Sequence, residues 1–177
     1  VVLCNTDEAD LKTIASHCDQ VVHATVDESL PEQWLAVLHA ACAESSPRMV
    51  LLANDTYSQE LAPRLAHRLG GGCVSDVQSI ECTDGRLRVT RSVYGGKAQA
   101  IYDFSDQPAV AWIRARAFAP ELPRSTPAAV REQSPPAVDA GSPRSVERQT
   151  ESAGEERLEE AQVIISGGFC LTIDDSG

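Results

Sequence analysis

The stretch that most constrains the fold is Met49–Val77, which reads as a strand, a polar loop, a helix and a glycine stop. Met49–Ala53 is a short apolar run, the pattern of a parallel strand that is covered on both faces. Leucines and alanines then recur at helical spacing until Gly70–Gly72, because glycine readily adopts the left-handed conformation that ends a helix. Such a βα unit needs neighbours of the same kind to bury its apolar faces.

Two similar units precede this stretch. Val1–Cys4 and Val21–Val26 are predicted strands, and a helical pattern follows each of them. The second of these helices is predicted to begin at Pro31, since proline is favoured in the first turn. Alternation of strands and helices predicts an α/β fold, a parallel sheet with right-handed crossovers and flanking helices.

After Asp76 the apolar residues alternate with a period near two, which is typical of antiparallel strands. Turn signals at Asp84-Gly85 and at Tyr94–Lys97 predict hairpins between them. The predicted strands are 79–82, 87–93, 98–104 and 109–118. In the last strand the small residues are predicted to face the helices, and the other face carries Val110, Trp112, Arg114, Arg116 and Phe118.

Residues 120–154 are rich in proline, serine, alanine and charge, and they lack a sustained apolar period. A linker is predicted here, because so little apolar burial cannot offset the entropy of ordering the chain. Beyond it, 155–161 reads as a short helix, Val163–Ile165 as a buried strand and Ser166–Gly168 as a tight turn. The predicted organisation is an α/β domain over 1–119, a linker over 120–154 and the start of a second domain over 155–177.

Three segments of the chain resemble the electron transfer flavoprotein alpha subunit, and they occur in the family's order. Glu60–Val77 resembles the family's helix, glycine stop and VSDV sequence, Arg91–Ala98 its RPVYGGKA sequence, and Leu158–Gly168 its strand and SGG turn. The resemblance spans most of the chain and implies a fold like that of the adenine nucleotide alpha hydrolases. In the family a further strand and helix precede the equivalent of Val1, so the chain is expected to be incomplete there.

The resemblance also implies where a cofactor would bind. In the family the turn equivalent to Ser166, Gly167 and Gly168 opens the FAD domain, and these three are the predicted FAD-binding residues. A turn of small residues after a strand exposes the N–H groups that a phosphate needs. The family's next residue is an arginine near the flavin, but here it is Phe169, and the rest of the flavin domain is expected to be missing from this chain. We therefore expect FAD in the complete family protein and not in this chain.

The complete family protein pairs with a beta subunit and passes electrons from flavin dehydrogenases to a quinone reductase. By resemblance, this chain is expected to be mainly the scaffold domain of such an electron carrier, packed on the beta subunit as a heterodimer. Arg91, Tyr94 and Lys97 flank a glycine hairpin and are the predicted partner contacts, with a solvated hairpin tip as the alternative. Arg114 and Arg116 are candidates to meet an acidic partner surface or the acids of the linker.

Two other functions stay open at this point. Asn54–Ser58 follows the central strand, where α/β sheets bind ligands, so stand-alone binding of an adenine nucleotide is one alternative. The competing interpretation is that Thr56 or Ser58 only caps the next helix. The other alternative is a non-functional fragment in which Phe169–Gly177 is not native coding sequence.

Composition argues against several classes of function. The formal charge of −11 leaves no basic stripe for nucleic acid, and no apolar run reaches membrane-spanning length, so no membrane insertion is expected. The six cysteines form no CxxC pair, which predicts no metal site and reduced thiols. Reduced thiols favour the cytoplasm of a bacterium or a mitochondrial matrix.

No catalytic residue is predicted. The four histidines share no spacing with a serine or a carboxylate that would form a nucleophile and its base, so the chain is not expected to be an enzyme. Asp76 is the strongest single polar candidate, and it is predicted to cap a turn or to pair with Arg91 rather than to act in catalysis.

Overall fold

The computed structural model describes residues 2–26, 30–104, 108–119, 121–137 and 163–164. The chain divides into two units, Val1–Ser145 and Val146–Gly177. In the second unit only Val163 and Ile164 are described; they are exposed and lie in no strand. The predicted buried strand is therefore wrong for these two residues, because no strand among the described residues pairs with or covers them.

Strands and helices alternate in the first part of the chain, as predicted. They are β1 (Val2–Cys4), α1 (Glu8–Ala15), β2 (Gln20–His23), α2 (Pro31–Ser45), β3 (Met49–Leu52), α3 (Thr56–Leu69) and β4 (Gly72–Val77). The following strands are β5 (Ser79–Thr83), β6 (Arg86–Val93), β7 (Ala98–Phe104), β8 (Ala109–Ile113) and β9 (Ala129–Glu132), with a 3₁₀ turn at Tyr94–Gly96.

Within the described residues the strands form three sheets of three strands each, in the orders β1-β2-β9, β3-β8-β4 and β5-β6-β7. Pairing is parallel in the first two sheets and antiparallel in the third. Helices α2 and α3 pack on one face of the β3-β8-β4 sheet. The antiparallel sheet packs on the opposite face through β6. This arrangement confirms the predicted fold class.

Local sequence sets both ends of α3. The Asp55 carboxylate accepts hydrogen bonds from the Ser58 backbone N–H at 2.7 Å and from the Ser58 hydroxyl at 2.9 Å. Asp55 is therefore the N-terminal cap of α3. The prediction that Thr56 or Ser58 caps this helix is wrong, because the Asp55 carboxylate is the group that accepts from the N–H in its first turn. At the other end Gly70 has φ +65°, so the predicted glycine stop is confirmed.

The prediction for β8 is wrong in direction and length. Its central residue Ala111 pairs with Leu51 of β3 on one side and with Val74 of β4 on the other, and both pairings are parallel. A side-chain period of two carries no information about strand direction. Complete burial of consecutive residues on both faces, as at Ala109 and Val110, is the property that marks a parallel strand.

The two faces of β8 are also the reverse of the prediction. Val110 and Trp112 pack against α2 and α3, whereas Ala111 packs on the opposite face with residues of β4 and β6. The reason is the space on each face of β8. Between β8 and the helices there is room for the large side chains of Val110 and Trp112, whereas the small Ala111 lets the antiparallel sheet pack closely on the other face. The helix-side cluster consists of Leu35, Leu38, Leu61, Ala62, Leu65, Ala66 and Val110.

Strand β9 lies inside the predicted linker. Ala129–Glu132 pairs in parallel with β2, and all four of its side chains are exposed. The pairing is extended by a hydrogen bond from the Gln133 N–H to the His23 carbonyl at 2.8 Å. Composition could not reveal this strand, because backbone hydrogen bonds and exposed ion pairs hold it rather than buried apolar side chains.

We expect Leu65→Ala to lower the free energy of unfolding by about 2–5 kcal/mol, because it leaves a cavity in the helix-side cluster. Leu65 is fully buried there. Urea unfolding followed by far-ultraviolet circular dichroism measures the change. Leu122→Ala is the control: this leucine is 90% exposed, so its loss should change stability by less than about 0.5 kcal/mol. Equal effects of the two substitutions would contradict the placement of the core.

Candidate functional site

The predicted partner contacts lie on the hairpin of β6 and β7. These strands pair from Leu87↔Phe104 to Val93↔Ala98, so the hairpin is regular up to its turn. The turn places Tyr94, Gly95 and Gly96 at positive φ in succession. Glycine adopts this conformation freely, but a tyrosine there is strained, and the Tyr94 side chain is nevertheless 82% exposed.

Arg91 stands apart from the two residues at the tip. Its side chain is half-buried, and its guanidinium donates a hydrogen bond to the Ser75 hydroxyl of β4. Lys97 is exposed, and its backbone N–H donates to the Tyr94 carbonyl at 3.4 Å. Arg91 therefore fastens the hairpin to the parallel sheet, while Tyr94 and Lys97 face solvent.

Asp76 pairs with Arg114, a partner that the sequence did not indicate. The two oxygens of Asp76 accept from Arg114 Nε at 2.9 Å and from Arg114 Nη2 at 2.5 Å. Asp76 has φ +55° at an irregularity of β4, between Val74 and Val77, which turns its side chain towards the end of β8. The pair links the carboxyl ends of two adjacent parallel strands.

The Arg114 guanidinium sets the electrostatics of this pair. Its hydrogen bonds to the Asp76 carboxylate hold the pKa of Asp76 below its usual range, although partial burial opposes the shift. The charge of Arg91 lowers the pKa of Asp76 further, so Arg91 acts on Asp76 at longer range and not as its hydrogen-bonded partner. A carboxylate that stays ionised in this way suits a structural ion pair better than proton transfer.

A cleft of about 550 Å³ lies at the predicted nucleotide loop. Its lining combines the end of β1, the end of β3, the start of α3 and part of α2. Its lining is mostly apolar: Leu3, Asn5, Trp34, Leu38, Leu51, Leu52, Ala53, Asp55, Tyr57, Ser58 and Leu61. Sequence reasoning found the loop but missed this lining, which comes from segments far apart in the chain.

Three polar side chains of the cleft, Asn5, Asp55 and Ser58, are hydrogen-bonded within the protein. Asn5 donates to the Val26 carbonyl at 3.0 Å, and Asp55 and Ser58 bond to each other at the cap of α3. Among the described residues that line the cleft there is no lysine or arginine, and Asp55 adds a negative charge. A lining with a carboxylate and without a described lysine or arginine does not suit the phosphates of a nucleotide or of FAD.

The predicted FAD-binding residues Ser166, Gly167 and Gly168 lie outside the residues that the structure describes, so their role stays a prediction. Across the described ranges, no group of three or more histidine, cysteine, aspartate or glutamate side chains is arranged to hold a metal ion. In that same part of the chain, none of the helices has the length and apolar character needed to cross a bilayer.

Comparison with known proteins now identifies the family. The sequence model described as "Electron transfer flavoprotein domain" matches residues 1–152. The chain belongs to the electron transfer flavoprotein family. Two curated relatives are the electron transfer flavoprotein subunit alpha of Syntrophomonas wolfei, 32% identical over 46% of this chain, and that of Bacillus subtilis, 27% identical over 49%. The resemblance predicted from the sequence is confirmed.

The matched segments cover 26% of the Syntrophomonas relative and 30% of the Bacillus relative. The chain thus spans less than a third of the length of these curated alpha subunits. Proteins of this family transfer electrons and are flavoproteins, as the family's description says.

We expect the Asp76–Arg114 pair to stabilise the fold at neutral pH and to lose that effect in acid. Because the pKa of Asp76 is lowered in the folded state, its contribution is fully present above the unfolded value and is lost as the pH falls below about 4. Asp76→Asn should therefore lower the urea midpoint at pH 7 and change it less at pH 3.

Asp84→Asn is the matched control for that measurement, because Asp84 is exposed and also has positive φ, at +51°. Its substitution should leave the pH dependence of the urea midpoint unchanged. A deficit of Asp76→Asn that is as large at pH 3 as at pH 7 would contradict the role of the ionised carboxylate.

Proposed function

We propose that this chain is the scaffold domain of an electron transfer flavoprotein, and that it packs against a beta subunit through the tip of the β6–β7 hairpin. In this proposal the carrier moves electrons between flavin dehydrogenases and the respiratory chain. The domain contributes no catalytic residue of its own. It would act in the cytoplasm of a bacterium or in a mitochondrial matrix.

The observation that carries the proposal is the exposed Tyr94. A tyrosine with φ +52° and an 82% exposed side chain has an unfavourable backbone conformation and little packing within this chain. Buried aromatic anchors supply much of the binding energy of protein interfaces, and tyrosine is among the commonest. The tip therefore has the properties of an anchor whose pocket lies on another protein.

The hairpin is also held rigidly enough to present such an anchor. Arg91 ties β6 to Ser75 of β4, and the Ser92 hydroxyl donates to the Gln78 side chain at 2.8 Å. Val89 is fully buried against the parallel sheet. A preorganised tip loses less conformational entropy on binding than a mobile loop would.

Lys97 adds a charge beside the anchor. Charges at the rim of an interface mainly guide association and orientation, and salt screens their effect. We therefore expect Tyr94 to contribute most of the binding affinity, and Lys97 to make the association rate depend on salt. Arg91 supports the tip from behind through its bond to Ser75.

We expect Tyr94→Ala to weaken binding of a beta subunit at least tenfold, since loss of an interface anchor costs about 2 kcal/mol or more. Isothermal titration calorimetry with the purified beta subunit measures the dissociation constant. Leu122→Ala is the control, because Leu122 is at least as exposed but lies far from the hairpin in the sequence. Unchanged affinity of the folded Tyr94→Ala protein would refute the hairpin as the contact.

We also propose that the chain does not retain FAD by itself. This is supported by the cleft, because its described lining residues include no lysine or arginine, and Asn5, Asp55 and Ser58 are hydrogen-bonded within the protein. After incubation with FAD and gel filtration, the visible spectrum of the protein should show no flavin band. A band that persists through filtration would contradict this part of the proposal and would point to Ser166, Gly167 and Gly168.

A further inference from the structure

Strand β9 and the residues around it are attached to the domain with little apolar burial. In the described range 121–137 only Ala128 and Gln133 are half-buried, and the other residues are exposed. The exposed ones include all four residues of β9, although a strand of a parallel sheet is ordinarily covered on both faces. Polar contacts must therefore supply most of the attachment.

Backbone hydrogen bonds hold this segment at three places besides the pairing of β9 with β2. The N–H groups of Arg124 and Ala128 donate to carbonyls at the end of α1, both at 2.7 Å. The Gln133 N–H donates to the His23 carbonyl at 2.8 Å. We call residues 124–133, which these bonds enclose, the strap. Such bonds replace bonds to water when the strap closes, so each contributes only modestly to its attachment.

Charged side chains add to the attachment along the whole strap. The contacts between described residues are Arg124 with Asp19, Arg131 with Glu44 at 2.8 Å, and Glu132 with His23 at 3.0 Å, the last an ion pair when His23 is protonated. In each contact the carboxylate side chain is more than half exposed. Exposed ion pairs are weak and are screened by salt. The attachment of the strap should therefore weaken as the ionic strength rises.

Two unpaired polar atoms at the end of the strap oppose its attachment. His23 Nε2 and Gln133 Oε1 are both buried, and neither has a hydrogen-bond partner among the described residues. The other ring nitrogen of His23, Nδ1, faces the Glu132 carboxylate and therefore carries a hydrogen. Nε2 is then unpaired whether or not the ring is charged. Buried polar atoms without partners are costly, and opening the strap would expose both of them to water.

We infer that the strap is a salt-sensitive conformational device, which opens from β2 and closes again while the rest of the domain stays folded. Backbone pairing and exposed ion pairs hold it closed, and the two unpaired buried atoms favour opening. Segments with few apolar contacts and exposed hydrogen bonds open at a lower free energy than the core does. Opening frees residues 124–133, which lengthens the reach of the chain beyond Gln133 by up to about 33 Å, at about 3.3 Å per residue.

Hydrogen exchange of the full chain, resolved by nuclear magnetic resonance, tests this inference. The amides of Arg124, Ala128 and Gln133 should share one opening constant, at least about 100-fold larger than that of the Val110 amide in the core strand β8. Raising NaCl from about 0.05 M to about 1 M should increase the opening constant of the strap at least about threefold, because salt screens its ion pairs. The same change should not increase the opening constant at Val110, which is fully buried.

Removal of two carboxylates that face the strap should favour its open state. Asp19→Asn combined with Glu44→Gln should raise the opening constant at least about threefold at low salt and remove most of the salt response. Glu8→Gln combined with Glu60→Gln is the matched control. It removes two exposed ion pairs within α1 and α3 and the same amount of negative charge, so it should leave the opening of the strap unchanged.

Gln133→Leu tests the part played by the unpaired buried oxygen. It replaces the amide with an apolar group of similar size and keeps the backbone N–H, so opening should become at least about threefold rarer. Neither flavin nor a beta subunit is present in these measurements, so their result is independent of the scaffold proposal.

Four results would overturn the inference. The first is exchange of the three strap amides with the same opening constant as Val110, since the strap would then open only when the whole domain unfolds. The second is an opening constant that does not respond to salt. The third is an equal effect of the two double variants, and the fourth is more frequent opening of the Gln133→Leu protein.

Discussion

The parallel insertion of β8 between β3 and β4 is the interaction on which the rest of the described domain depends. This strand returns from the antiparallel hairpins and completes a sheet whose other two strands flank α3 in the sequence. Its residues bury the two opposite faces of that sheet, Val110 towards the helices and Ala111 towards the antiparallel strands. Without β8 both apolar clusters would lose a buried member, and the hairpin that carries Tyr94 would lose part of the surface on which it packs.

Glycines make the close approach around β8 possible. A side chain at Gly71 would overlap the carbonyl oxygen of Pro108, and one at Gly72 would overlap the Phe104 ring. The Gly72 N–H also donates to the Pro108 carbonyl at 3.2 Å. The glycine run therefore does two things: Gly70 ends α3, and the next two residues let the chain that enters β8 lie directly against β4.

Much of the fold could be predicted because it rests on local patterns. The alternation of strands and helices, the stop at Gly70 and the Asp84-Gly85 turn, where both residues have positive φ, follow from short-range stereochemistry. The direction of β8 and the existence of β9 could not be predicted, since pairing of distant strands decides them. Likewise no local signal joins Asp76 to Arg114, which are 38 positions apart.

The candidate sites also differ in how far the sequence could predict them. The hairpin tip could be found from Tyr94 and its glycines, because a turn of this kind presents its side chains to solvent. The apolar cleft lined by β1, α2, β3 and α3 could not be found, because its lining comes from four separate elements of the chain. Arg91 shows that residues of one sequence motif can have different roles. The sequence groups it with Tyr94 and Lys97, whereas its guanidinium donates a hydrogen bond to Ser75.

We propose that this domain serves an electron carrier by packing on a beta subunit without holding the flavin itself. Sedimentation velocity of an equimolar mixture with a beta subunit, recorded at a protein wavelength and in the visible flavin band, tests it most directly. We expect one heterodimeric species, with any flavin signal no greater than that of the beta subunit alone. Two separately sedimenting proteins at micromolar concentration, both folded, would contradict it.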